Sequence, residues 1–204
     1  METLTPDQPE FWRAHYQNHS IPWDIGQAAP PFVKLLDAKG SRLARGKMAV
    51  LGCGRGHDAA LFGHHGFCVT GFDMVQEAVT EAKASYGHVA RFVQANIFHL
   101  DPVYDGQFDA VLEHTCFCAI SPRQRTRYVD VAERLLKPGG LFLGLFWAHR
   151  EGGGPPYKTS RNEIIELFSP AFEIQSLAIT PYSIPTRQGE ELLGIMTFRG
   201  HFGL

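Results

Sequence analysis

The pattern of hydrophobic and polar positions divides the chain into two parts. In the first part, amphipathic stretches predict helices over Gln8–Asn18 and Phe32–Lys39, separated by a segment rich in proline and glycine. In the second part, apolar runs of strand length alternate with helical stretches, a pattern typical of a parallel sheet covered on both faces. We therefore expect a single domain, residues 1–204, with N-terminal lid helices in residues 1–45 and an α/β core in residues 46–204.

The second part predicts a sheet of seven strands. The predicted strands are Met48–Leu51, Cys68–Asp73, Ala90–Asn96, Phe108–His114, Leu141–Ala148, Phe172–Ile184 and Leu192–Phe198. The predicted helices are Asp58–Phe62, Val75–Ser85, Arg123–Leu136 and Arg161–Phe168, and Lys137–Gly140 is expected to form a turn. Because the connection Thr186–Gly189 is short, the last two strands must pair antiparallel. The expected α/β sheet is therefore mostly parallel, with an antiparallel C-terminal strand.

A glycine-rich loop, Gly52-Cys53-Gly54-Arg55-Gly56, marks the first strand-to-helix junction. Glycines at such a junction permit a tight turn and the close approach of a ligand to the backbone. In an open α/β sheet, ligands bind beyond the carboxyl ends of the strands. The ends of the first four predicted strands, at Gly52, Asp73, Asn96 and His114, are therefore expected to converge on one crevice.

Three residues around this crevice each allow two interpretations. Asp73 follows the glycines at the distance expected for a carboxylate that binds a ribose diol, but aspartate also caps helices well. Asn96 offers an amide to an adenine edge, and Ile97 offers an apolar wall, but asparagine is also a common turn residue. Trp23 lies in the segment rich in proline and glycine, where it either belongs to a lid or fills the core.

The composition excludes several classes of protein. A net charge of −2 with no block of lysine and arginine argues against nucleic-acid binding. No apolar run reaches the length of a membrane span, and the polar N-terminus does not resemble a secretory signal. Cys53, Cys68, Cys116 and Cys118 lack the spacing of zinc or redox pairs, so we expect free thiols, no metal and a cytoplasmic protein. We expect a monomer or weak homodimer that acts on a small molecule.

Several short motifs between about residue 10 and residue 160 carry a family resemblance. They are Phe11-Trp12-Arg13, Pro22-Trp23-Asp24-Ile25-Gly26, Leu51 to Asp58, Cys116 to Pro122, Arg125, Leu135 to Gly140 and Gly154-Pro155-Pro156-Tyr157. Together they resemble the class I S-adenosylmethionine-dependent methyltransferases, and more specifically the thiopurine, thiol and halide methyltransferase family. The resemblance implies a Rossmann-like fold and S-adenosylmethionine as the cofactor.

The resemblance also implies roles for individual residues. The implied cofactor contacts are Trp12, Trp23, Gly52, Cys53, Gly54, Asp58, Asp73, Met74, Asn96, Ile97 and His114. The implied substrate contacts are Phe11, Phe117, Arg125 and Tyr157, with His114 and Arg125 as catalytic candidates. Arg125 would bind an anionic substrate or lower a thiol pKa, although an exposed helix arginine is an equal alternative.

Two positions depart from related enzymes. Val50 stands where many methyltransferases carry an acid, a residue that this family also commonly lacks. His114 occupies a position that is often an aromatic phenol in the plant thiol and halide enzymes, which argues against halide or thiocyanate as the acceptor.

The expected reaction is the transfer of a methyl group to a small thiol or thiolate by in-line displacement. Such a transfer depends mainly on alignment in a cavity from which water is excluded. A neutral thiol also needs a base, for which His114 is a candidate, although a cofactor or packing contact is the more common role for such a histidine. The alternatives are halide, thiocyanate, O- or N-methylation on the same scaffold and, in a different class, a nicotinamide-dependent oxidoreductase. His57 in place of a third glycine argues against the oxidoreductase.

Overall fold

The computed structural model describes residues 4–39, 43–149 and 152–200. Its strands are β1 (Lys47–Leu51), β2 (Cys68–Asp73), β3 (Ala90–Gln94), β4 (Phe108–His114), β5 (Leu136–Trp147), β6 (Phe172–Ile179) and β7 (Glu191–Phe198). Its α-helices are α1 (Pro9–Gln17), α2 (Pro30–Lys39), α3 (His57–His64), α4 (Gln76–Tyr86), α5 (Arg125–Leu135) and α6 (Arg161–Phe168). Within these described ranges, no helix has the length and apolar character needed to cross a membrane.

The seven strands form one sheet in the order β3-β2-β1-β4-β5-β7-β6. The pairs β1–β2, β1–β4, β2–β3 and β4–β5 are parallel, whereas β7 pairs antiparallel with both β5 and β6. The mostly parallel sheet with an antiparallel C-terminal strand is therefore confirmed. The strand order reverses between β1 and β4, so a crevice opens at the carboxyl ends of these strands.

Several element boundaries differ from the sequence expectation, among them those of β5, β3 and β6. The predicted turn Lys137–Gly140 lies within β5, because Leu136 pairs with Phe108 before the irregularity and Leu141 pairs with Ala110 after it. Strand β3 stops at Gln94, since Asn96 caps a short 3₁₀ turn over Ile97–His99. Strand β6 ends at Ile179, five residues before the predicted end, and a 3₁₀ turn, Pro185–Arg187, precedes β7.

Helices cover both faces of the sheet. One apolar layer packs α5 and α6 against the sheet through residues such as Tyr128, Leu135 and Phe168. The opposite layer packs α2, α3 and α4 through residues such as Phe32 and Phe62. Successive side chains of a strand point to opposite faces of the sheet, so neighbouring strand residues pack in opposite layers.

One part of the N-terminal segment packs in this core, and the other part lies beside the crevice. Phe32, Leu35 and Leu36 of α2 are buried in the layer with α3 and α4. Helix α1 instead lies against α4, where Arg13 contacts Glu77 at 3.5 Å between Nε and Oε2. Helix α1 and the loop that follows it therefore lie beside the crevice at the carboxyl ends of the strands.

Candidate active site

A cavity of about 690 Å³ lies at the carboxyl ends of β1 to β4. Its volume is within the range of about 300–1,000 Å³ that is usual for small-molecule sites. The predicted site residues in its lining are Phe11, Trp12, Trp23, Gly52, Asp73, Met74, Asn96, Ile97 and His114. A smaller adjoining cavity of about 90 Å³ is lined by Cys53, Gly54 and Asp58 and shares Trp23, Gly52, Asp73 and His114 with the larger one.

The glycine loop brings its backbone close to other elements. Gly52 has φ of +63°, and a Cβ atom at this position would lie 2.8 Å from Sγ of Cys116. A side chain is therefore excluded by both conformation and space. The loop ends at Gly56, where helix α3 begins, so backbone amides are presented at the edge of the cavities.

Asp73 holds the backbone of the loops around it and lines both cavities. Its Oδ1 accepts a hydrogen bond from the Val75 amide at 2.9 Å, and its Oδ2 accepts one from the Gly54 amide at 2.9 Å. Burial raises the pKa of this carboxyl, although its backbone donors oppose that effect. A carboxylate oxygen can accept two hydrogen bonds. Asp73 therefore keeps acceptor capacity for a ligand in either cavity.

Asn96 also serves the local backbone. Its Oδ1 accepts a hydrogen bond from the Phe98 amide at 2.9 Å, which caps the 3₁₀ turn Ile97–His99. With this oxygen engaged, the side chain has its NH₂ group to offer to a ligand. The turn places Ile97 and Phe98 in the wall of the same cavity.

His114 is held at both ring nitrogens. Its Nδ1 lies 2.7 Å from Oδ2 of Asp58, and its Nε2 lies 3.3 Å from Nη1 of Arg187. Arginine has only donors, so Nε2 accepts and the ring proton of the neutral tautomer is on Nδ1. Burial lowers the pKa of His114, but the Asp58 carboxylate outweighs it, so the net shift is upward. A ring with both nitrogens engaged is poorly suited to remove a proton from an acceptor.

Three predicted substrate contacts lie outside the lining of these cavities. Arg125 is 2% exposed, and its Nη1 donates to Glu163 and to the Lys158 carbonyl. Phe117 is 1% exposed and packs beneath the Arg125 guanidinium at 4.7 Å. Tyr157 is held by its backbone, because its amide donates to the Cys118 carbonyl at 2.6 Å. The structure therefore does not bring these three residues to the crevice.

Much of the lining of the large cavity is apolar. Its walls include Phe11, Ile120, Trp147, Pro155 and Pro156. Two thiols lie among them, Cys116 and Cys118. Burial raises the pKa of both thiols, to about 12 for Cys118, so both are neutral near pH 7.

Tyr16 and Arg187 are among the residues at the site that the sequence did not predict. Tyr16 lines both cavities, and its position four residues after Trp12 on α1 was a usable signal. Arg187 lies in the connection before β7 and contacts His114. A polar residue in such a connection is typical of a turn, so the sequence did not single it out. No local pattern indicates its contact with the site, because His114 and Trp23 are distant from it in sequence.

Comparison with known proteins agrees with this architecture. The family model described as thiopurine S-methyltransferase matches residues 7–199. The chain is 34% identical to thiocyanate methyltransferase 1 of Arabidopsis thaliana, over 90% of this chain and 82% of that protein. It is 25% identical to thiopurine S-methyltransferase of Bos taurus, over 82% of this chain and 78% of that protein.

A solved structure shows the same fold. It is the 1,6-didemethyltoxoflavin-N1-methyltransferase of Burkholderia thailandensis with bound S-adenosylhomocysteine, which superposes with a TM-score of 0.76 at 21% identity. The superposition covers 97% of this chain and 92% of that one. The predicted family and cofactor are confirmed. The chain belongs to the thiopurine S-methyltransferase family and is an S-adenosylmethionine-dependent methyltransferase.

Proposed function

We propose that the chain methylates the sulfur of a small thiol or thiolate by in-line displacement. One observation carries this proposal: the lining of a single cavity combines Gly52 of the glycine loop and Asp73 with the apolar side chains of Phe11, Trp147 and Pro155. The first part suits a nucleoside with an amino-acid tail, and the second suits an uncharged organic group. The names of the relatives, which include thiopurine and thiocyanate methyltransferases, support sulfur as the acceptor atom.

The residues of the large and small cavities fit S-adenosylmethionine. When bound, this cofactor supplies a methyl group on a positively charged sulfonium. We assign the amino-acid end to the loop Gly52–Gly54 with Asp58, the ribose to Asp73 with Met74, and the adenine to Asn96 with Ile97. The described residues before α2 contribute a lid, in which the rings of Trp12 and Trp23 meet edge to face with centroids 5.2 Å apart, whereas α2 packs in the core.

The chain contributes mainly alignment and the exclusion of water. A thiolate attacks without a base, so the engaged nitrogens of His114 are no obstacle to its methylation. Oxygen and nitrogen acceptors in most small molecules must lose a proton, and both ring nitrogens of His114, the predicted base, are already in hydrogen bonds. Acceptors that are already anionic at neutral pH are therefore favoured.

Thiocyanate is a second candidate acceptor. It is an anionic sulfur nucleophile that needs no base, and thiocyanate methyltransferase 1 of Arabidopsis thaliana is more similar in sequence than the bovine thiopurine enzyme. The histidine at position 114 argued against this acceptor from the sequence. The two candidates differ in size, because thiocyanate has three atoms whereas a thiol carries an organic group that can contact the apolar lining of the cavity.

Calorimetric titration with S-adenosylhomocysteine tests the cofactor assignment. We expect the Asp73→Asn variant to bind about 10-fold more weakly, because charged hydrogen bonds contribute roughly 1.5–3 kcal/mol. The control is Asp37→Asn, since Asp37 is exposed on α2. Equal affinities in Asp73→Asn and the wild type would remove Asp73 from the site.

Incubation with S-adenosylmethionine and a panel of acceptors tests the reaction. The panel contains an aromatic thiol, thiocyanate, iodide and a phenol, and mass spectrometry identifies the methylated product. We expect the thiol to react with the highest kcat/KM. Methylation of the phenol alone would contradict a sulfur acceptor.

Location and assembly are further proposals. Four free cysteines support a reducing cytoplasm, and the net charge of −2 supports the absence of nucleic-acid partners. We also propose a monomer or weak homodimer. Cell fractionation and sedimentation velocity at several concentrations test these statements.

A further inference from the structure

Arg187 is a buried cation to which the proposed chemistry gives no role. Its side chain is 4% exposed and lies 4.8 Å above the ring of Trp147. Its Nη1 lies 3.3 Å from Nε2 of His114 and 3.4 Å from Oε1 of Glu191, which is 3% exposed. Its Nη2 donates to the carbonyl oxygen of Trp23 at 3.1 Å. The guanidinium is thus fixed between β4, β7 and the N-terminal segment.

The same N-terminal segment is also bound by Asp58, on the far side of His114 from Arg187. Oδ1 of Asp58 accepts a hydrogen bond from the amide of Ala29 at 2.7 Å, while its Oδ2 faces His114. A continuous chain of hydrogen bonds therefore runs from the Trp23 carbonyl through Arg187, His114 and Asp58 to the Ala29 amide. Both ends belong to residues 23–29.

We infer that Arg187 is a positioning residue that holds residues 23–29 against the cofactor site through His114 and Asp58. The inference rests on the proposed function only in taking this segment as part of the cofactor lid. Trp23 and Ile25 line the small cavity, and Trp23 also lines the large one, so the placement of their backbone shapes both. We call Asp58, His114 and Arg187 the lid clamp.

Arginine suits this position because of its geometry. The planar guanidinium directs separate N–H groups toward the Trp23 carbonyl, the His114 ring and the Glu191 carboxylate at the same time. A lysine retains the charge that faces buried Glu191, but its single ammonium group cannot reproduce the fork. Arg187→Lys therefore perturbs the clamp while it preserves the local charge balance.

Hydrogen exchange measured by mass spectrometry, without any ligand, tests the clamp. We expect amide exchange in residues 23–29 to be about 10-fold faster in Arg187→Lys and faster still in Arg187→Met, since a charge-assisted hydrogen bond is lost. Exchange in β4 and β5 should remain as in the wild type. The matched control is Arg161→Lys, whose guanidinium donates to the Leu177 carbonyl away from both cavities.

Ligand binding supplies the second measurement. We expect the Kd of S-adenosylhomocysteine to rise about 10-fold in Arg187→Lys, because the open lid must be ordered again on binding. The KM for the methyl acceptor should change less than this Kd. A direct contact between Arg187 and the acceptor would reverse the pattern and overturn the positioning role.

Other outcomes are equally decisive. Unchanged exchange in residues 23–29 of both Arg187 variants would overturn the clamp, and so would a uniform acceleration across the whole sheet, which signals global destabilisation. If Arg187→Met does not fold, Arg187→Lys carries the test alone. Failure of the wild type to bind S-adenosylhomocysteine would refute the proposed function, whereas the exchange result stands without it.

Discussion

Two buried arginines, Arg125 and Arg187, have similar surroundings and different places in the molecule. Their side chains are 2% and 4% exposed, and each lies over an aromatic ring, Phe117 or Trp147. The partners of Arg125 are Glu163 of α6 and the loop before it, away from the cavity lining. The partners of Arg187 are His114 at the end of β4, Glu191 at the start of β7 and the carbonyl of Trp23. The difference shows that the partners of a buried arginine, and not its burial, determine which region of the molecule it contacts.

The Arg125 region should respond in stability. Arg125→Met removes the guanidinium from Glu163 and from two loop carbonyls, so we expect a loss of about 4 kcal/mol in the free energy of unfolding. Urea denaturation measures this loss, and the control is Arg123→Met, because Arg123 is exposed in the preceding turn. At temperatures where the variant is folded, its affinity for S-adenosylhomocysteine should remain within about threefold of the wild type. A selective loss of acceptor turnover would instead return Arg125 to the substrate site.

Adjacent residues of β4 separate the two regions, because successive side chains in a strand face opposite sides of the sheet. His114 faces Arg187, whereas Glu113 faces the layer that contains Phe117. Glu113 is fully buried, and its carboxylate accepts hydrogen bonds from the Tyr128 hydroxyl at 2.6 Å and from the Phe117 amide at 2.9 Å. Burial raises its pKa to about 7, although both donors oppose the shift.

The raised pKa of Glu113 predicts a pH-dependent stability. The folded state binds the proton more tightly than the unfolded chain, so the stabilising contribution is full below about pH 4.5 and is lost as pH rises toward about 7. The predicted loss is about 3 kcal/mol. Glu113→Gln should remove this contribution, which urea denaturation at pH 5 and pH 8 can measure. The control is Glu166→Gln, because Glu166 is exposed. An unchanged difference between the two pH values in Glu113→Gln would contradict the prediction.

The smallest of these effects is the loss of activity expected for His114→Gln. Glutamine can accept from Arg187 and donate to Asp58, so it can replace both hydrogen bonds of the ring. We expect kcat for a thiol to fall by less than about 10-fold, whereas loss of a general base costs about 100-fold or more. Rates across pH for a thiol and for thiocyanate provide the measurement, with His64→Gln as the control. A large loss confined to the thiol would establish His114 as the base.

Local sequence patterns were sufficient for much of the fold. The predicted bounds of β2, β4 and α6 coincide with those observed, because each element has a clear hydrophobic period and ends at polar or turn residues. The predicted start of β5 was wrong. Pro138 and two glycines are typical of a turn, but Leu136 before them already pairs with Phe108. Strand pairing across an interruption depends on a distant neighbour, which a local window does not contain.

The candidate site divides in the same way. The sequence by itself determined the glycine loop, Asp73 and Asn96, because a strand end, a tight turn and the residue that follows are local features. Only the tertiary structure decided that Arg125 lies in the core and that Arg187, 73 residues after His114, reaches its ring. The physical reason is that a buried guanidinium must find acceptors in three dimensions. Those acceptors come from elements that only the folded chain brings together.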